Sequence, residues 1–428
     1  MSTALATRIA EEYAAASSEL PVRVVSAARR ELAVKALNAQ GLPVARDENW
    51  KYANLRALER VRFAPPGAQR QAAAPSTPVS AALLPAPIAG YARHTYVDGV
   101  FAAELSSAAR TDIVESAQAR ERAHSGDARF ALLNDAFADD SARVRACAGA
   151  LTCVELLFVA CAEGARASSY PRVDVKVSAG ARLNLIERHV SVASDANFVN
   201  SVADIEVASG ACLTHFRVQQ LGARATWIDT LSASVDADGS YQQHLVQLGA
   251  LAARSTYRVL LAGARSAARL HALAAADQHQ THDAYALIEH AAPQTLSEQV
   301  FRGIAAGRAR VAFNGKVTVR AGAAGTDSRQ SLRGLLAGPE AEIDVRPQLE
   351  IHTDDVRCSH GATAGKLDDA VLFYLLSRGL DPDTAQQLLK WAFLADVVAK
   401  IDIPDLKRSI ERALAGRIDV AADLKELL

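Results

Sequence analysis

VDVKVSAGARLNLIERHVSVASDANFVNSVADIEVASGACLTHFRV, residues 173–218, decides how the chain is read. Two short alternating runs, VDVKV and SVADIEVA, each pass through a small-residue turn, SAGARL or ASGACL, into a second run, RLNLIERHV or CLTHFRV. Alternation marks half-buried strands, and glycine marks the turns between them. The punctuation returns as DADGSY, LAGARS, RAGAAG and LAGPEAE, among further runs at YRVLLA, RVAFNGKVTVR and AEIDVRPQLEIH. The turn glycines stand at 180, 210, 239, 263, 322 and 338, and the first three gaps are 30, 29 and 24 residues. That is the length of one solenoid coil holding two or three short strands. Long helical patterns between the strands are scarce, which argues against a strand–helix–strand sheet. A sandwich offers the same strand density, but its turns need not repeat. Stacked coils, each burying its neighbour's apolar face, explain the repetition. The expected fold is mainly β, a β-helix over 91–362.

Outside this zone the pattern turns helical. ELPVRVVSAARRELAVKALNAQG, Glu19 to Gly41, has Val25, Ala28, Leu32, Ala36 and Leu37 at helical spacing, with Pro21 suited to a first turn and Gly41 to a left-handed stop. Asp47 is placed to cap a second helix carrying Trp50, Tyr52, Leu55 and Leu58. These make an N-terminal helical subdomain, 1–63. Six of the 14 prolines crowd into 64–90, read as a linker. A helical break is expected near Arg129 to Asp139. After the strands, a C-terminal helical subdomain, 363–428, holds DAVLFYLLSR (Asp369 to Arg378) stopped by Gly379. Asp381 and Pro382 then supply the cap and first residue of a longer helix through Trp391, and Pro404 precedes a last helix.

Composition excludes several functions. With 47 basic and 48 acidic residues and no basic run interleaved with aromatics, nucleic-acid binding by phosphate neutralisation is not expected. The longest apolar stretch, from Leu151, is 12 residues and contains Glu155, too short and too polar for a membrane span. An amino end without an apolar h-region and five cysteines with no CxxC pair point to the cytoplasm. No GxGxxG, GxSxG or HExxH is present. NGKV at 314–317 resembles the end of a P-loop, but Arg310 replaces its first glycine and Val317 its hydroxyl, so any ATP must be handled by another chain.

The chemistry concentrates in DDVRCSHGATAGKLDDAVLFYLLSRGL, 354–380. On a strand, residues i and i+2 share a face, so Cys358 and His360 could hold one ion. Two donors do not complete a tetrahedral site, and His352, Asp354 and Asp355 are nearby candidates. The alternative is that histidines, His279, His282 and His290 included, are hydrogen-bonded within coils, and that Cys147, Cys153, Cys161 and Cys212 are small buried hydrophobes.

RCSHGATAGKLDDAVLFYLLSRGL resembles the signature of the SufB/SufD family of iron–sulfur cluster assembly proteins, and GLPVARDENWKYANL, 41–55, is similar to the amino-terminal motif of its SufD branch. The resemblance implies a right-handed parallel β-helix flanked by helical subdomains, and two partners: a SufB-like paralog and a SufC-like ABC ATPase. It implies that the ATPase docks on the helices after the β-helix, here Leu372, Phe373, Tyr374, Arg378 and Trp391. Gly361 stands where the scaffold branch has a glutamate, which implies a metal site at His360 and Cys358 shared with the paralog, no cluster held stably by this chain alone, and no catalysis of its own. It associates reduced flavin with such complexes, although no residue here marks its site. Gly361 and Gly365 are read as hinges between the last strand and the helices. The rival readings are a SufB-like scaffold holding the cluster by itself, a structural adaptor in which His360 is incidental, and a β-helix carbohydrate lyase or hydrolase, which 5% aromatics disfavour. An open β-helix end would also permit a homodimer in isolation.

Overall fold

The computed structural model describes residues 2–64, 79–107, 114–115, 127, 129–161, 168–192 and 196–417. Two ten-stranded sheets face each other. The first runs from Val100–Phe101 and Ala92–Val97 through Thr152–Ala160, Arg182–Ser191, Cys212–Gln220, Ser240–Gln247, Ala267–Ala276, Leu296–Ala305 and Thr326–Leu336 to Val356–Gly365. The second runs from Val114–Glu115 through strands that alternate with those in the chain, ending at Glu342–Ile351. Pairing is parallel except at the hairpin-like pairs at the amino end. The chain is a parallel β-solenoid of about seven turns with helices at both ends. Each full coil spends two long strands: Cys212, Ser240, Ala267 and Leu296 stand in one row. Inward side chains of both sheets make the main core, among them Leu185, Leu213, Trp227, Tyr241, Val259, Phe301 and Phe313.

The turn from second sheet to first explains the repeat. Gly180, Gly210, Asp238, Arg265, Gln294 and Gly325 all have φ between 57° and 74°. In this left-handed conformation each N–H points along the solenoid axis and donates to the next coil: Gly180 to Ser209 O, Gly210 to Ala237 O, Asp238 to Ala264 O, Arg265 to Pro293 O, Gln294 to Ala324 O and Gly325 to Asp355 O. Glycine takes this conformation without strain, and the hydrogen bond offsets the cost where it is absent. The glycine spacing in the sequence therefore follows the corner only partly. Gly239 and Gly263 sit beside it, packed against the preceding coil, and Gly338 lies on the opposite corner, its Cα side against Gly307.

The amino-terminal helices α1 (Ser2–Ala16) and α2 (Ala27–Gln40) join α3 (Arg129–Phe137) over the outer face of the second sheet, burying Leu37, Trp50, Phe63, Phe130, Phe137, Tyr170 and Phe198 together. Helix α2 starts at Ala27, where the Ser26 hydroxyl accepts from Arg29 N, and not near Pro21 as expected. Leu32 points to solvent, and the buried position beside it is Arg30, whose guanidinium donates to Ala136 O and Ala138 O below α3. The expected second helix is two short 3₁₀ turns, Glu48–Trp50 and Leu55–Arg60, and Asp47 makes an ion pair with Arg129 at 2.9 Å instead of capping. The DENW residues pin this layer to the solenoid. Arg254 donates to Asn49 O and stacks 4.4 Å from the Trp50 ring, and Glu48 pairs with Arg346. Of the 64–90 linker, 65–78 lie outside the described residues; Ile88 beyond them is buried under the carboxyl-terminal helices.

Those helices are α4 (Asp369–Ser377), α5 (Pro382–Val398) and α6 (Pro404–Arg417). Asp368 and Asp381 cap α4 and α5 by accepting two backbone N–H groups each, and Pro382 opens α5 as the sequence predicts. Leu394, Val397, Val398, Leu406, Ile410 and Leu414 cover the outer face of the first sheet at Ile186, Phe216, Val246 and Leu273. No helix among the described residues is long and apolar enough to cross a membrane.

Candidate functional site

Among the described residues, no strand lies beyond the last coil. Its first-sheet strand, Val356–Gly365, pairs on one side only, with Thr326–Leu336, and the register sets Cys358 opposite Ser328 and His360 opposite Gln330. Val356 and Cys358 lean inward on Val317, Val319 and Leu349, which identifies the face that His360 shares by parity. Cys358 is half-buried and His360 exposed. Burial pushes the Cys358 thiol up, and the Asp327 carboxylate below it pushes the same way, against one backbone N–H from Ser328. The sulfur is therefore a protonated thiol at neutral pH and becomes a metal ligand only by losing that proton.

The regular strand begins at Val356, so Asp354 and Asp355 lie in the corner, where Asp355 O receives the Gly325 N–H. His352 follows the other strand and bonds Glu350 at 2.9 Å. None of the three extends the Cys358–His360 face, and no group of three or more His, Cys, Asp or Glu side chains suited to a metal ion occurs among the described residues. Two donors of the right chemistry share one face, which fits a ligand set finished from outside. Gly361 lies inside the strand opposite Ser331, and Gly365 is its last residue, opposite Leu335.

His279, His282 and His290, close in the sequence, do not converge on one site. His282 Nε2 meets Gly249 O at 2.7 Å, His290 is held by Thr295 and Ser297, and burial pushes both imidazoles down to about 4. His279 is exposed on a corner. Cys147 and Cys212 are exposed, against the expectation of burial, while Cys153 and Cys161 are half-buried.

Helix α4 follows three residues after Gly365, and none of its side chains is buried. Phe373 is 71% exposed, Tyr374 54% and Val371 42%, a contiguous apolar surface on a helix of only nine residues. Arg378 lies 5.0 Å over the Tyr374 ring. Leu372 is half-buried, and Trp391 packs against the core under α5, so of the five expected docking residues Trp391 is the one committed to the fold.

The sequence reading passed over a polar cluster inside the solenoid. Arg217 binds Glu187 and Asp229, Glu187 also holds His189 and His215, and Ser201 donates to Asp229, all between the sheets and closed to solvent. Its signal was there, as charges at inward parity in RLNLIERHV and CLTHFRV.

Comparison with known proteins agrees with this architecture. The profile of the SUF system FeS cluster assembly SufBD core domain matches residues 158–393. The iron–sulfur cluster assembly protein SufD of Escherichia coli is 29% identical over 88% of this chain and 90% of its own length. A SufBD family protein of Synechocystis is 27% identical over 91% and 90%. A chloroplastic protein of Arabidopsis thaliana is 28% identical over 58% and 53%. The family match covers most of the solenoid, its last coil and α4: the chain belongs to the SufBD family of iron–sulfur cluster assembly proteins.

Proposed function

We propose that this chain is the SufD-like subunit of a SufB–SufC–SufD type complex, and that iron or a nascent cluster, the cargo of the assembly, is held between its last coil and a SufB-like paralog. Cys358 and His360 are this chain's ligands, and the paralog supplies the rest. The observation that carries the reading is the incomplete site: two donors on one face of an edge strand, and no group of three or more His, Cys, Asp or Glu side chains suited to a metal ion among the described residues. A SufC-like ABC ATPase docks on Leu372, Phe373, Tyr374 and Arg378 of α4 and its surroundings, and supplies the ATP hydrolysis for which this chain has no P-loop. ATP-driven movement of α4 then acts on the last strand through Gly365 and Lys366, reshaping the shared site. The complex, not this chain, holds any reduced flavin. Without its paralog, the same edge pairs with a second copy.

Co-expression with SufB-like and SufC-like chains, followed by anaerobic isolation, tests this. The expected result is a three-component complex whose iron content falls when His360→Ala is introduced while the subunits still co-purify. Full cluster assembly in that variant would reduce the chain to an adaptor. A stable iron–sulfur absorbance on the isolated chain would instead make it a scaffold.

A further inference from the structure

Gly315, the glycine of the P-loop-like NGKV, faces the solenoid interior. A Cβ there would lie 2.4 Å from Gln299 Oε1 and 3.0 Å from Gln330 Nε2. The missing side chain makes room for two stacked glutamines, one coil apart. Gln330 Nε2 donates to Gly315 O at 2.9 Å and to Gln299 Oε1 at 3.2 Å. Gln299 Nε2 in turn reaches Lys316 O. The two backbone carbonyls fix both carboxamides: reversing either would set oxygen against oxygen.

With both hydrogens of Nε2 committed to the preceding coil and the facing strand, Gln330 Oε1 is left as an acceptor. Gln330 is 4% exposed, and its Oε1 has no donor among the described residues. A buried carbonyl oxygen without a partner is disfavoured, so such an atom in a built network marks a place for an incoming donor. The next side chain in that row, in register on the same inward face, is His360. Adjacent strands lie about 4.8 Å apart, which puts an imidazole nitrogen within reach of the carboxamide after rotation about χ1 and χ2.

We propose that Gln330 is the positioning residue for His360: its Oε1 accepts the N–H of the His360 ring when the other ring nitrogen binds a metal. The bond selects one tautomer and one ring orientation, and Gln299, Gly315 and Lys316 hold the acceptor in place. This rests on His360 being a metal ligand, as proposed above.

The test uses the full chain with Co²⁺ or Zn²⁺ alone, by titration and by ¹⁵N spectra of the histidine rings, with His360 identified through His360→Ala. In the Zn²⁺-saturated wild type, His360 is expected as a single tautomer with its remaining N–H protected from exchange. Gln330→Met is expected to weaken metal binding by about 10- to 100-fold and to release the remaining His360 N–H to exchange. A Gln330→Met chain that binds Co²⁺ like wild type, while His360→Ala does not, overturns the role of Gln330 and leaves the ligand intact. His360→Ala binding metal unchanged removes the ligand itself, and Gln330's role with it. If Gln330→Met does not fold, the wild-type spectrum decides: a His360 N–H exchanging as in free solution, with metal bound, overturns the proposal.

Discussion

Replacing Arg217 by methionine removes the cation from a cluster that water cannot reach. Its guanidinium holds Asp229 at 2.9 Å through two nitrogens and Glu187 through a third contact. Afterwards Glu187 keeps only His189 and His215, and Asp229 only Ser201. Burial pushes the Glu187 carboxyl up, but Arg217 and the two imidazoles outweigh it and hold it well below the ordinary carboxylate range. Burial also raises Asp229, and there Arg217 offsets only part. Both carboxylates contact the same Arg217 nitrogen, at 2.5 and 2.9 Å, and without the cation they repel across that gap by roughly 3 kcal/mol at an effective dielectric of about 20. Breaking a buried pair from one side costs about 3–5 kcal/mol. Arg217→Met should lose that much at pH 7, read from urea unfolding followed by fluorescence of Trp227, which lies 5.5 Å from the His189 ring. The pH dependence adds a signature. In the variant the carboxyl groups have folded pKa values raised above their unfolded ones, so the loss is smallest below the carboxylate range and grows as pH rises through it. Adding Glu187→Gln and Asp229→Asn removes the uncompensated charge and should recover most of the stability. Arg217→Met within 1 kcal/mol of wild type at pH 7, or a triple variant no better than the single, would refute the assignment of this cluster as a coupled charge site.

Gly263→Ala would put a Cβ 1.9 Å from Ala237 N, a backbone atom of the previous coil that cannot swing away; a loss above about 3 kcal/mol is expected in denaturant unfolding, at the severe end for overpacking. Phe373→Ala should leave thermal stability within about 0.5 kcal/mol, since the ring touches solvent, while weakening capture of a SufC-like ATPase by about 30-fold, the loss of one anchor residue; equal binding by calorimetry would move the docking surface elsewhere. His282 and His290 stay neutral in the fold, with folded values of about 4 against 6.5 unfolded. Their contribution is fully present above 6.5 and is lost as pH falls toward 4, up to about 3 kcal/mol for each. His282→Gln should flatten that stretch of the stability–pH curve, and an unchanged slope would show that other groups set it.

The solenoid was legible because its physics repeats. Inward parity recurs along every strand, so VDVKV, SVADIEVA and their successors reveal the fold without any tertiary knowledge. The exact period was not, because the left-handed corner accepts Asp238, Arg265 and Gln294 once the next coil's carbonyl receives their N–H. Of the six glycines counted, only Gly180 and Gly210 occupy that position, while Gly239 and Gly263 sit beside it. The layer under Trp50 was misread for a related reason. Residues 47–60 look helical by spacing, yet Arg129, Arg346 and Arg254 pin Asp47, Glu48 and Asn49 from 82 or more residues away, and local propensity yields to that. At the site, the pairing of Cys358 with His360 followed from parity alone. Gln330 could not be found that way, because its meaning depends on a register that joins it to His360 across a whole coil.

A parallel solenoid has four sheet edges, and each is a template for unwanted pairing unless something blunts it. At the amino end both outermost strands, Val100–Phe101 and Val114–Glu115, are two residues long and antiparallel, too short to recruit a neighbour. At the carboxyl end, Glu342–Ile351 carries Pro347 in mid-strand, which removes one donor, and a row of charges tied to Arg310, Lys316 and Glu48. The fourth edge, Val356–Gly365, is ten residues long, contains no proline, and after Arg357 has no charge until Lys366. Among the described residues, three edges are protected and one is left open. The open one bears Cys358 and His360 and continues directly into the uncovered α4. An edge exposed by neglect would have no reason to coincide with the two proposed metal ligands. Under the proposed function, strand pairing and ligand completion are then one event: a partner that added a strand here would bring its own ligands to the face that Cys358 and His360 share.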